Sequence, residues 1–122
     1  MKKLFLLSTA LAMFTSCYND SEEALYGENY CDTVAISYVD NIEPIITSNC
    51  TSCHSGATPS ASLNLDSFDA VKLSALNTTN EGLLNRVQRL EGESGAMPTN
   101  YRLTQCQIDQ IHTWIDQGAL NN

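Results

Sequence analysis

Basic residues are scarce in this chain. Six Lys and Arg stand against 14 Asp and Glu, for a formal charge of −8 over 122 residues. Such a chain cannot build the positive surface that meets phosphates, so nucleic acid is excluded as a partner. Long apolar runs are also missing. The longest uncharged, largely apolar stretch is Leu4–Phe14, eleven residues, whereas a bilayer-spanning helix needs about 20. The length excludes large catalytic scaffolds such as α/β barrels. With 2 His and no second C-x-x-C or H-x-x-x-H pair, a structural zinc site lacks its usual four ligands. Cysteine is plentiful by contrast: there are 5, an odd number that calls for more than one use of sulfur.

The N-terminus has a processing pattern. Lys2 and Lys3 precede the apolar run, and Thr15-Ser16-Cys17 follows it. This order fits the charged, apolar and small-residue regions of a secretory signal. It resembles a bacterial lipoprotein signal, with Phe14 where Leu is commoner. The expectation is a signal peptide over 1–16, lipidation at Cys17, and export to the cell envelope with a lipid anchor and no membrane span. Removing residues 1–16 takes away two Lys and leaves 14 acids against 4 bases, a charge of −10. Residues 17–30 hold Asp20, Glu22, Glu23 and Glu28 and no base, the composition of an acidic tether. Tyr18 follows Cys17, not the Asp associated with inner-membrane retention, so the outer membrane is expected, on its periplasmic or surface face.

The remainder reads as helices joined by polar loops. Ile42, Ile45, Ile46, Asn49, Cys50 and Cys53 recur at helical spacing, with Asp40 as N-cap, Glu43 three residues on, and Pro44 in or near the first turn. A short helix is expected over Phe68–Leu76, capped by Asp66 or Ser67. A third is expected over Glu81–Leu90, with Leu83, Leu84, Val87 and Leu90 on one face and Gly92 as its stop. The last helix is the best specified: Thr104 and Gln107 form a capping box, Leu103 and Ile108 take the staple positions, and Ile108, Ile111 and Ile115 form the buried stripe beside Trp114. Gly118 ends it. Only Cys31–Val39, with alternating Val34, Ile36 and Tyr38, hints at extended structure.

Cys50-Thr51-Ser52-Cys53-His54 carries the chemistry. Residues i, i+3 and i+4 share one side of a helical turn, so two sulfurs and one imidazole face one flat partner. This C-x-x-C-H run reads as a c-type haem attachment site, with Cys50 and Cys53 bonded to the haem edge and His54 reaching the iron. A thioredoxin-like C-x-x-C would need a strand before it and a parallel sheet around it, and neither is visible. A disulfide within one helical turn would constrain little. Covalent haem would also give a small core an apolar plate to cover, with Leu63, Leu65, Leu84, Val87 and Trp114 as candidate cover.

The signal, the C-x-x-C-H run after a helix, Gly95-Ala96-Met97-Pro98, and a final helix with Trp114 before Gly118-Ala119 together resemble a small class I cytochrome c. The similarity is to the single-haem domains of exported bacterial lipoproteins, and it covers roughly residues 38–122. Thr99 stands where that family often has a second Pro. The resemblance implies an all-α, cytochrome c-like fold of about four helices around one covalent heme c, with the domain occupying 31–122. It implies one-electron transfer at a membrane surface, not enzymatic turnover, with acidic surface meeting redox partners that carry basic docking surfaces. Met97, 43 residues after His54, becomes the candidate sixth ligand; a Met ligand raises the reduction potential. His112 is the weaker candidate. With neither, the iron would be open, as in a peroxidase-like enzyme or small-ligand sensor. The packing of first and last helices in this family also implies that Cys31 and Cys106 meet in a disulfide.

Overall fold

A computed structural model of the chain describes residues 31–122. The signal peptide expected over 1–16, lipidation at Cys17 and the acidic tether expected over 17–30 lie outside these residues. The described residues form an all-α structure with no strand among them. A wide π-type turn over Tyr38–Ile42 runs into α1, Glu43–Asn49; α2 spans Phe68–Ala75, α3 Leu83–Val87, and α4 Gln105–Asp116. A single 3-10 turn, Ser60–Ser62, interrupts the long loop between α1 and α2. No described helix is long and apolar enough to cross a membrane.

The first helical segment begins earlier than Asp40. Ser37 is its N-cap, its Oγ accepting from Asp40 N at 3.1 Å. Two further backbone donors at this end are met from the far end of the sequence: Tyr38 N donates to Asn122 Oδ1 at 3.0 Å and Val39 N to the Asn122 carbonyl at 3.1 Å. The π-type turn lies directly before Pro44, which has no N–H and crowds the carbonyl four residues back. Widening the helix there therefore sacrifices no bond that Pro44 could have made. Residues 31–37 form no strand; Ile36 is buried while Val34 is 82% exposed.

Of the two candidate caps for α2, Ser67 serves, accepting from Ala70 N at 3.3 Å. Asp66 instead accepts from Gly56 N at 2.8 Å and Asn64 Nδ2 at 3.0 Å, which closes the 56–66 loop. The α4 capping box forms in full. Gln107 N donates to Thr104 Oγ1 at 3.2 Å, and Thr104 N donates to Gln107 Oε1 at 3.0 Å. Leu103 and Ile108 are both buried at the staple positions. At the other end Gly118 takes φ +96°, left-handed backbone that favours glycine. This lets Ala119 N return to Trp114 O at 2.9 Å and brings Leu120 O within 2.9 Å of Trp114 Nε1. Ile115 is only partly buried.

The third helix is shorter than the hydrophobic spacing predicts. It ends at Val87, and Leu90 is 62% exposed. The cause is a competition for hydrogen bonds. Arg86 O, which a longer helix would offer to Leu90 N, accepts Met97 N at 3.1 Å, and Leu90 N donates instead to Glu93 Oε2 at 2.9 Å.

The core sits where the start of the first segment, α2 and α4 meet. Tyr38 contacts Phe68 edge-on at 4.8 Å between centroids and Trp114 at 5.6 Å. Ile42, Ile46, Val71, Ile108, Ile111 and Trp114 are fully or almost fully buried around them. Cys31 and Cys106 form a disulfide across 75 residues of sequence, joining the segment before Ser37 to the first turn of α4. Loop closure on this scale stabilises by about 4 kcal/mol in a chain-entropy treatment. The Cys31→Ser, Cys106→Ser double variant should lose a stability of that order in urea titration at pH 7, and an unchanged midpoint would show that the crosslink constrains nothing.

Candidate functional site

The C-x-x-C-H run does not lie inside a helix. The regular helix α1 stops at Asn49, and Cys50 is its cap, with φ −121° and ψ −42°. The run forms a single closed turn: Cys50 N donates to Ile46 O at 2.8 Å, and Cys53 N and His54 N both return to Cys50 O, at 3.1 and 2.9 Å. The i, i+3, i+4 relation thus survives in a turn appended to the helix. Cys50 is half-buried and Cys53 exposed, and neither is in a disulfide.

His54 is held on every side. It is 8% exposed, its carbonyl accepts Leu65 N at 2.8 Å, and its Nδ1 lies 3.2 Å from Leu63 O. A carbonyl oxygen only accepts, so this contact requires the proton on Nδ1. The Nε2 lone pair is then left free, the arrangement of a histidine prepared to ligate a metal.

These residues border a cleft of about 360 Å³, within the usual range of roughly 300–1,000 Å³ for small-molecule and cofactor sites. Cys50, Cys53 and His54 come from the turn after α1, and Met97 from the loop between α3 and α4. Leu63, Leu65, Leu83 and Val87 supply its apolar floor. Two of the expected cover residues lie elsewhere: Trp114 is sealed in the aromatic core, and Leu84 packs against the core without lining the cleft. His112 is exposed on α4, its Nδ1 3.1 Å from Asp116 Oδ2, and does not line the cleft. Among the described residues no group of three or more His, Cys, Asp or Glu could hold a metal ion.

Two polar residues of the site, Tyr101 and Arg86, escape a reading of the sequence. Tyr101 OH donates to Asn49 Oδ1 at 3.0 Å, tying the end of the Met97 loop to the last residue of α1 beside Cys50. Arg86 lines the cleft and donates through Nη1 to Gly95 O at 3.0 Å. The partners are backbone carbonyls or a lone amide, which leave no spacing signature. The only local clue is an aromatic residue four positions after Met97.

The site therefore offers two thiols and an imidazole of fixed tautomer from one turn, a thioether from a second loop, and an apolar floor. This donor set fits a covalently attached haem: thiols for its edge, nitrogen and sulfur for its iron, and hydrocarbon for its face. No protein-family model matches the chain, and no curated protein or solved structure matches it.

Burial pushes the Cys50 thiol up from the ordinary 9.0 to about 11. Thiolate is the nucleophile, so two units leave it about a hundredfold scarcer than in an unperturbed thiol below pH 9. In haem-free chain, alkylation of Cys50 by iodoacetamide at pH 8 should lag a short cysteine peptide by that order and recover in urea. Peptide-like reactivity of Cys50 in the folded chain would contradict its burial.

Proposed function

We propose that the chain is a single-haem c-type cytochrome with a cytochrome c-like fold, which transfers one electron at a time at a membrane surface. The observation that carries this reading is the convergence of Cys50, Cys53, His54 and Met97 on one cleft with an apolar floor. When bound, the haem supplies an iron that accepts or gives up one electron. Cys50 and Cys53 would hold it through thioether bonds, and His54 would ligate through Nε2 while Leu63 O keeps the imidazole in the required tautomer. Met97 would supply a second ligand from the opposite loop, a thioether that favours the reduced state. The floor residues Leu63, Leu65, Leu83 and Val87 exclude water from the haem face.

The processed chain, at −10, favours brief, salt-sensitive encounters with basic partner surfaces. Lipid on Cys17 and the acidic tether would confine those encounters to the outer membrane. The Cys31–Cys106 disulfide suits an oxidising compartment of this kind.

Protein matured in an exporting host should show a low-spin haem spectrum with a sulfur-to-iron charge-transfer band. Met97→Ala should abolish that band while the haem stays attached, and Cys50→Ala, Cys53→Ala should abolish covalent attachment by mass. A matured protein with no visible haem spectrum overturns the proposal. High-spin iron that binds carbon monoxide rapidly would instead mark an open site.

A further inference from the structure

A thioether offered from a loop is a useful ligand only if the loop is held, because ordering a free backbone costs conformational entropy. We propose that Arg86 and Arg89 are positioning residues that clamp the 93–97 segment and so hold Met97 at the cleft. The inference rests on the reading of Met97 as an axial ligand.

The two arginines lie three residues apart, at the last turn of α3 and just past it. Arg86 reaches the segment twice. Its carbonyl accepts Met97 N at 3.1 Å, and its Nη1 donates to Gly95 O at 3.0 Å. Its Nη2 forms an ion pair with Glu81, so the guanidinium is braced from the loop before α3. Arg89 repeats the pattern one step out: Nη1 donates to Ser94 O, and Nη2 to Asn80 O at 2.9 Å. Each guanidinium thus bridges the loop entering α3 to the loop leaving it. Planar, always-charged groups with several fixed donors suit this bridging better than a lysine ammonium would, and bonds from a charged donor are stronger than neutral ones.

Gly95 completes the clamp. Its φ is +78°, and a Cβ built there would collide with the guanidiniums of both Arg86 and Arg89. The glycine is therefore where the two side chains close on the backbone, two residues before Met97. The same bond that draws in Met97 N ends α3 at Val87, because Arg86 O is no longer available to Leu90 N.

The test uses the matured, haem-bearing protein and reads the iron ligand directly. Parent, Arg86→Gln, Arg86→Lys, Arg89→Gln and Gly95→Ala are compared for haem attachment by mass, intensity of the sulfur-to-iron band, and the rate at which imidazole displaces the sulfur from ferric iron. With attachment unchanged, Arg86→Gln and Gly95→Ala should weaken the band and speed displacement by roughly tenfold or more. Arg89→Gln should do so to a smaller degree, and Arg86→Lys should recover part of the loss. Variants with parental band and displacement rate overturn the clamp while leaving Met97 as ligand. A haem-bearing parent that itself lacks the band overturns the ligand reading and the clamp with it. If Arg86→Gln fails to accumulate, Gly95→Ala and Arg89→Gln decide the matter by the same two readouts.

Discussion

The structure depends on one short closed turn. Cys50 O accepts both Cys53 N and His54 N, while Cys50 N is still bound to Ile46 O. These bonds attach the turn to the end of α1 so that two thiols and an imidazole share one side of it. The helix behind it is fixed by its own burial, with Ile42, Ile45 and Ile46 in the core. Ahead of it, His54 is fixed by the 63–65 segment, which bonds both its carbonyl and its ring. If the turn were to open, the donors would separate and the cleft would lose one wall.

The opposing wall is built differently. No long helix stands behind Met97; α3 has five residues. Beside the buried Leu83 and Val87 it contributes Asn85, Arg86 and Arg89, which together bond carbonyls of Thr79, Asn80, Ser94 and Gly95. One side of the cleft thus rests on apolar burial, and the other adds a polar knot at the surface to the burial of Leu83 and Val87. Burial resists opening through the whole core, whereas a surface knot can yield locally.

What could be read in the sequence follows the reach of each signal. The α4 capping box, its staple and its glycine stop act over a few residues, and all form as spacing implies. The C-x-x-C-H run is legible as a set of donors following a helix, but the helix end at Asn49 is not, because Asn49 and Cys50 carry no strong stop signal. The end of α3 is hidden from the sequence for a related reason. Leu90 continues the apolar face, yet the bond that ends the helix comes from Met97, ten residues beyond the last helical residue Val87. Likewise, Leu84 and Trp114 are as hydrophobic as the cleft-lining residues; only packing separates them from Leu63, Leu65 and Val87. Patterns fix local conformation and general burial, whereas pairings between distant backbone groups leave no mark in composition.

The Cys31–Cys106 crosslink has a mechanical consequence. It meets the chain ahead of Ser37, so a pull on the polypeptide from its N-terminal side reaches a covalent bond before any hydrogen bond of the first helical segment. The load then passes to the opening turn of α4 and from there to Ile108, Ile111 and Trp114, among the most deeply buried residues of the domain. The caps at Ser37 and the bonds from Tyr38 and Val39 to Asn122 lie beyond that junction and are shielded from peeling. A domain so connected can be tugged from that side without the strain being delivered first to the helix that leads into the turn of Cys50, Cys53 and His54.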